Sequence, residues 1–175
     1  MKKIMAITVI ITALLTSSCI SIKPSVYIGK NVDVKKLRIG IVSITGYNSM
    51  NAESEISLYL LKLGCEVFER NNIDKILKEQ EIQLSGIIDE STAIAIGKMV
   101  GVNTIFIGSI SAPIESKVAN FKDNTWNTFS LTFSGRLISI EDGSIIASGK
   151  VNSSRGYPDR ALSDAIELFF QELEL

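Results

Sequence analysis

Carboxylates gather in one stretch of this chain, and they are side chains that could do acid–base or metal chemistry. Paired carboxylates can act as general acid and base, and a cluster of them can hold a divalent cation. The chain has no histidine, the commonest general base and a frequent metal ligand, and no phosphate-cradling glycine loop. The pattern therefore favours solvated helix faces and caps over catalysis, and predicts a protein that is not an enzyme and holds no metal. The residues concerned are Glu69, Asp74, Glu79, Asp89 and Glu90.

Cys19 offers a different chemistry, because a thiol in its position can be acylated. Residues 1–3 carry two lysines, residues 4–15 are mostly apolar, and small residues precede the cysteine. This pattern indicates a secretory signal peptide, since the apolar run is shorter than the roughly 20 residues of a membrane-spanning helix. The end of the run resembles the lipobox of bacterial lipoproteins, which predicts cleavage after residue 18 and a diacylglycerol and palmitate on Cys19. An ordinary signal peptide is the alternative, because Thr16 stands where a lipobox usually has Leu.

Length, net charge and cysteine content limit the class of protein to which this chain can belong. Removal of residues 1–18 leaves 157 of the 175 residues, enough for one domain with its own core. Loss of Lys2 and Lys3 lowers the net charge from −1 to −3, which argues against a nucleic-acid partner. With Cys19 acylated, Cys65 is left without a disulfide partner, and we expect it to be a small buried hydrophobe rather than a reactive thiol.

Hydrophobic periodicity predicts the elements that position these groups. A tether over residues 19–36, of which a few residues can order against the domain, precedes an α/β domain at 37–175. The first half of that domain alternates strands and helices. The predicted elements are a strand at 37–44, a helix at 52–63, a strand at 66–69, a helix capped by Asn71 with Asp74, a helix from Asp89 to Gly101 and a strand at 103–110.

The second half changes to a two-residue period. The apolar residues Phe129, Leu131, Phe133 and Leu137 alternate with polar ones, which is typical of a half-buried strand. The polar residues are Ser130, Thr132, Ser134 and Arg136. A turn at 141–144, a return strand at 145–152 and a helix from Pro158 follow. The predicted fold is a single-domain α/β sandwich of a mixed sheet with flanking helices and a C-terminal helix. The apolar stripe of that last helix is Leu162, Ala165, Ile166, Phe169 and Leu173.

An ordered set of short motifs runs through residues 67–110. With it the chain resembles the curli production assembly/transport component (CsgG-like) family of envelope lipoproteins, and the hairpin at 136–146 fits as well. The chain is also similar to penicillin-binding-protein activator lipoproteins, which have a small domain on a tether. The motifs are Val67-Phe68-Glu69-Arg70, Asp74 to Gln80, Gln83-Leu84-Ser85-Gly86, Asp89 to Ala93, Gly97-Lys98, Gly101-Val102 and Ile107-Gly108-Ser109.

The resemblance implies an outer-membrane lipoprotein whose domain faces the periplasm. The curli channel subunit gives two long hairpins to a shared barrel, whereas here only residues 111–134 have room for one, and Pro113, Glu115 and Lys117 interrupt the alternation. We therefore expect a non-catalytic accessory or scaffold in envelope assembly or secretion, with the subunit of an export channel as the alternative. A small-ligand binder that uses the acidic residues is a third reading.

Partners follow from this reading. The lipid would contact the membrane, envelope or secretion proteins would bind the domain, and self-association stays open. Tyr47, Trp126 and Tyr157 lie in predicted loops and are the candidate partner contacts, because aromatic residues are enriched at binding hot spots. The alternative is that each packs over an end of the domain.

Overall fold

The computed structural model describes residues 24–29, 34–79, 88–119 and 125–173. Cys19 and the predicted cleavage site lie outside these residues. Ser85 and Gly86, where the sequence predicts that the helix capped by Asn71 ends, lie outside them as well. A 3₁₀ turn at Val34–Lys36 precedes the second strand. The elements are β1 (Ser25–Ile28), β2 (Arg38–Gly46), α1 (Ser49–Lys62), β3 (Glu66–Phe68), α2 (Arg70–Glu79), α3 (Glu90–Val100), β4 (Thr104–Ile110), β5 (Ile114–Ala119), β6 (Thr125–Ser139), β7 (Ile145–Arg155) and α4 (Pro158–Gln171).

Within the described residues, seven strands form one mixed sheet in the order β1-β7-β6-β4-β2-β3, and β5 pairs with the outer half of β6. Strand β2 pairs in parallel with β3 and β4, so helical crossovers must connect these strands. The other pairs are antiparallel. This architecture confirms the predicted α/β fold with a mixed sheet, flanking helices and a C-terminal helix.

The hydrophobic core lies on both faces of the sheet but is larger on one. Helices α1 and α4 pack on the first face, where all five residues of the predicted α4 stripe are buried. Helices α2 and α3 pack on the second face, over the part of the sheet formed by β2 and β4. Ile41 belongs to the first cluster and Val42 to the second, so β2 is apolar on both faces, as expected for a central strand covered by helices.

A row of glycines makes room for aromatic rings under the first face. Gly108, Gly135 and Gly149 are register neighbours on three adjacent strands. A Cβ on Gly135 would lie 2.9 Å from Phe106 and 3.0 Å from Phe169, so a larger residue would displace the rings. Those two rings meet edge to face with their centroids 6.2 Å apart, a favoured aromatic geometry.

The ends of α3 confirm the sequence prediction. Asp89 precedes the helix in an extended conformation, and its carboxylate accepts the Thr92 N–H at 2.7 Å. Gly101 ends the helix with φ +76°, a left-handed conformation that suits glycine, and its N–H donates to the carbonyl of Gly97 at 3.0 Å.

The predicted start of α2 is wrong by two residues. The helix begins at Arg70, and the carbonyl of Glu69 accepts the N–H of Ile73. Asn71 therefore lies inside the first turn and not at the cap. Asp74 pairs with Arg70 at 3.0 Å, one helical turn away, instead of closing a capping box.

Strand β1 comes from the segment predicted as a tether. Ser25–Ile28 pairs antiparallel with β7 at the sheet edge, between Pro24 and Gly29. Val26 and Ile28 are half-buried against the core, while Ser25 and Tyr27 are exposed. Part of the predicted tether is thus an edge strand of the domain.

Candidate functional site

The helices leave half of the second sheet face uncovered. Helices α2 and α3 lie over β2, β4 and the end of β6 at Ile138. No helix in the described part of the chain packs over the rest of β6, or over β7 and β1, on this face. We call this surface the open face. A sheet surface that no helix covers is accessible to a ligand.

Two rows of side chains cross the open face and continue onto β4 and β2, because register partners on adjacent strands point to the same side. Each row has one member from each of β1, β7, β6, β4 and β2. The first row is Ser25, Lys150, Ser134, Ser109 and Thr45, and the second row is Tyr27, Ser148, Arg136, Ile107 and Ser43.

A groove runs between the two rows and across the strands. Its floor is the backbone of the glycine row, Gly108, Gly135 and Gly149, and Ile88 lines it as well. The groove has a volume of about 590 Å³, which is within the range of roughly 300–1,000 Å³ that ligand pockets occupy. We call it the cross-strand groove.

The cross-strand groove has a positive lining. Arg136 and Lys150 contribute cationic side chains, and none of the described residues that line the groove has a carboxylate. The nearest acidic partner is Glu90 at the start of α3, whose Oε2 lies 3.7 Å from Arg136 Nη1. Because both side chains are largely exposed, this ion pair leaves Arg136 accessible to a ligand.

The polar character continues along β6 and β7 beyond the groove. Thr132 Oγ1 donates to Asn152 Oδ1 at 2.6 Å, and the hydroxyls of Ser130 and Ser154 lie 2.8 Å apart. These cross-strand hydrogen bonds hold the strands in register on the solvent side. The open face is therefore a polar sheet surface with few large apolar side chains.

A two-stranded ribbon extends the open face past the end of the sheet. It consists of β5 and the outer half of β6, paired from Ile114↔Ser130 to Ala119↔Thr125. One face of this ribbon has three exposed apolar side chains, with Ile114 67%, Val118 39% and Trp126 49% exposed, alongside Ser116, Thr128 and Ser130. Val118 and Trp126 are direct cross-strand partners. We call this surface the apolar ribbon.

The three predicted partner contacts lie in different environments. The Tyr47 hydroxyl donates to Asp159 Oδ1 at 3.0 Å, so its half-buried ring fastens β2 to α4. Partial burial and the Asp159 carboxylate raise the pKa of Tyr47. Tyr157 is 65% exposed, with the Arg160 guanidinium 5.5 Å from its ring centroid. The prediction that Trp126 lies in a loop is wrong, because it is part of β6, although it is exposed there.

The acidic residues do not form a common site. Asp89 caps α3, where hydrogen bonds from Thr92 and Ser91 lower its pKa. Glu90 faces Arg136, and Asp74 pairs with Arg70. No three acidic or cysteine side chains in the part of the chain that the structure describes could hold a metal ion together. The Glu79 side chain lies outside the described set.

A second hollow of about 290 Å³ lies between α1 and the start of α2. Glu53 accepts the backbone N–H of Arg70 there at 2.9 Å, and burial raises the pKa of Glu53. This bond joins α1 to α2, because Glu53 lies on α1 and Arg70 begins α2. It also satisfies one of the N–H groups that the first turn of a helix leaves without an intrahelical partner. Its role is structural.

Cys65 is buried between α1 and β3, as the sequence predicts. Burial raises the pKa of its thiol to about 11, so the group is protonated at neutral pH. A buried neutral thiol is a poor nucleophile.

Sequence reasoning missed Arg136 and Lys150 as site residues. The alternation of Ser130, Thr132, Ser134 and Arg136 marked one polar strand face, but not a groove shared by five strands. The signal that points to it is the recurrence of hydroxyl side chains at alternate positions of several strands. The register that aligns them is a tertiary property.

The described residues contain no helix that is long and apolar enough to cross a membrane. A family model, curli production assembly/transport component CsgG, matches residues 60–120. The resemblance inferred from the sequence motifs is thereby confirmed. No curated protein matches the chain.

Solved structures with the same fold include two that align over most of the chain. The PelC dodecamer from Paraburkholderia phytofirmans aligns with a TM-score of 0.51 and 14% identity, over 87% of this chain and 94% of that one. Lipoprotein GNA1162 from Neisseria meningitidis aligns with a TM-score of 0.51 and 10% identity, over 77% and 95%. The LpoB C-terminal domain from Salmonella enterica aligns with a TM-score of 0.45 and 18% identity, over 65% and 78%. The chain thus has the fold of PelC and GNA1162, and is similar to CsgG over residues 60–120.

Proposed function

We propose that this chain is a lipid-anchored, non-catalytic accessory or scaffold protein of the bacterial cell envelope that acts in envelope assembly or secretion. Acylation of Cys19 would anchor it to the outer membrane, with the domain in the periplasm. The similarity to CsgG and the fold shared with a lipoprotein support this role. The acidic side chains of the first half have structural partners, since Asp89 caps α3 and Asp74 pairs with Arg70, which is in keeping with a non-catalytic role.

The apolar ribbon is the observation that carries the proposal. Exposed apolar patches on a soluble domain mark interaction sites, and Trp is enriched at binding hot spots. Ile114, Val118 and Trp126 present such a patch on a paired strand, where cross-strand packing restrains the side chains before binding. The partner on this surface would be an envelope or secretion protein or a second copy of the chain. The PelC structure is a dodecamer, which makes self-association a reasonable form of this contact.

A subunit of an export channel is the second candidate, because the ribbon forms in the region where the sequence has room for a membrane hairpin. Strand β5 has six residues, fewer than the about 9–11 of a membrane strand. Its other face has Glu115 and Lys117, and charges facing lipid are costly. The structure therefore favours the scaffold over the channel.

The experiment substitutes two apolar side chains of the ribbon and expresses the variant in the native host. An Ile114→Ser/Trp126→Ser variant should accumulate as a folded, membrane-bound protein and yet fail to complement deletion of the gene. Leu58→Ser/Leu61→Ser serves as the control, since these two leucines of α1 are 51% and 56% exposed and lie outside the ribbon, and it should complement. Full complementation by the ribbon variant would refute the proposal. Ion conductance of liposomes that contain the purified lipidated protein would instead favour the channel.

A further inference from the structure

We propose that the cross-strand groove binds an acidic glycan strand. The inference does not depend on the scaffold role, because the groove lies on the main sheet and the apolar ribbon lies beyond its end, with no residue in common. It stands on the charge, the hydroxyl content and the shape of the groove.

Charge selects an anionic ligand. Arg136 and Lys150 lie in the two rows on adjacent strands, and the described lining contains no carboxylate to neutralise them. Glu90, which is not part of the lining, lies 3.7 Å from Arg136, and this exposed pair leaves the guanidinium accessible to a ligand. An arginine can bind a carboxylate through two parallel hydrogen bonds, while a lysine supplies a mobile point charge.

Hydroxyl groups select a ligand rich in hydroxyls of its own. Five serines belong to the two rows, one on each of the five strands. A serine hydroxyl rotates to donate or accept, so such a surface can match the mixed donors and acceptors of a sugar ring. Tyr27, exposed at the β1 end of the second row, adds an aromatic ring with a polar tip. The serines are Ser25, Ser43, Ser109, Ser134 and Ser148.

The same composition disfavours a protein in the groove. Serine and lysine are depleted at protein interfaces, where aromatic residues, methionine and arginine are enriched, and of the ten residues in the two rows only Tyr27 and Arg136 belong to the enriched types. The apolar ribbon has the composition of a protein contact, and the groove does not. Nucleic acid is disfavoured as well, because its binders need a strongly basic face and this chain has a net charge of −1.

Shape selects an extended chain over a compact ligand. The groove crosses five strands, which at about 4.8 Å between neighbours gives it a length of roughly 19 Å. The two rows form its walls, with Ile107 and Ile88 beside Arg136 as its apolar part. A linear strand of several linked acidic sugars would lie along it and meet one cation from each row.

The test is isothermal titration of the full lipidated chain, in nonionic detergent, with oligogalacturonate. We expect saturable binding that weakens as salt is added, no binding of dextran oligosaccharides of the same length, and weaker binding of oligoglutamate. An Arg136→Gln/Lys150→Gln variant should lose affinity by about tenfold or more, since each substitution removes a charge-assisted contact. A Lys75→Gln/Lys78→Gln variant loses the same charge on an exposed face of α2 and should stay within about twofold of the parent.

A separate variant keeps the inference falsifiable if the doubly substituted protein does not fold. Ser134→Gln adds bulk in the middle of the groove without a change of charge, and it should also weaken binding of oligogalacturonate.

The inference is wrong if oligogalacturonate does not bind the parent chain. Equal affinity for oligoglutamate would show a surface that binds any polyanion and would also overturn it. An equal loss in the Lys75/Lys78 variant would show that overall charge and not the groove decides binding. Each of these results is independent of the complementation phenotype of the ribbon variants.

Discussion

Arg136 reaches from the centre of β6 to the first turn of α3, where its Nη1 lies 3.7 Å from Glu90 Oε2. This contact joins the open half of the sheet to the half that helices cover. The pair is exposed to solvent, so its energetic value is small even though it orients the arginine.

Glu90→Gln should therefore change the free energy of unfolding by less than about 1 kcal/mol, as expected for an exposed ion pair. The measurement is urea denaturation followed by far-UV circular dichroism at low and high salt. Any difference from the parent chain should shrink at high salt, because screening weakens exposed pairs. A loss of several kcal/mol would show that Glu90 has a structural role beyond this pair.

Gly135→Ala should destabilise the domain by about 1–3 kcal/mol, the usual cost of overpacking a core. The added methyl group would meet the rings of Phe106 and Phe169 at 2.9 and 3.0 Å. Gly156→Ala is the matched control, because nothing lies within 4 Å of a Cβ there, and it should be nearly neutral. Equal urea midpoints for the two variants would contradict the packing described for the glycine row.

Asp89→Ala should lower the melting temperature, because it removes the side chain that caps α3 at Thr92. Asp89→Asn should retain most of the stability, since an amide oxygen can accept the same N–H. The hydrogen bonds lower the pKa of Asp89 in the folded chain. The contribution of Asp89 to folding stability is therefore complete above the pKa that Asp89 has in the unfolded chain. It is lost as the pH falls through the lower pKa that Asp89 has in the folded chain. A difference between parent and Ala variant that stayed constant down to acidic pH would rule out the cap as its source.

Cys65 should react slowly with a thiol reagent at pH 8 in the folded chain and rapidly after unfolding in urea. Burial raises the pKa of its thiol to about 11, so little thiolate is present at pH 8. The unfolded thiol ionises at lower pH than the folded one. Stability from this group is therefore complete below the unfolded pKa and declines as the pH rises toward about 11. Rapid labelling of the folded chain at pH 8 would show that Cys65 is accessible.

Cys19→Ser should release a folded domain from the membrane fraction and abolish function through the loss of its location. Fractionation and immunoblotting measure the release, and limited proteolysis checks that the released domain is folded. The prediction rests on the sequence pattern at residues 1–19. A variant that stayed in the membrane fraction would point to a second mode of membrane attachment and would favour the channel.

The spacing of apolar residues along the chain was enough to predict the elements that bury a single apolar face. The α4 stripe and the glycine that ends α3 are examples, because helical spacing and a left-handed terminus leave strong signals. Strand β1 could not be predicted, since four residues with one alternation carry little information. Its position depends on the edge that β7 offers.

The candidate site was less predictable than the fold for a related reason. The cross-strand groove takes its walls from five strands that are far apart in sequence, and pairing register brings Arg136 and Lys150 side by side. Trp126 shows the same limit, because its strand extends only by pairing with β5. Composition indicated which residues were polar, and tertiary pairing decided what they faced.

Strand β1 is the described strand that follows Cys19 in the chain, and it forms one end of the groove. If Cys19 is the anchor, tension between the membrane and the domain reaches the four-residue pairing of β1 with β7 before it reaches the core. Ser25 and Tyr27 are the outermost members of the two rows, so a pull that unzips β1 would also shorten the groove from one end. Ligand affinity and the load on the lipid anchor would then be coupled through one short strand.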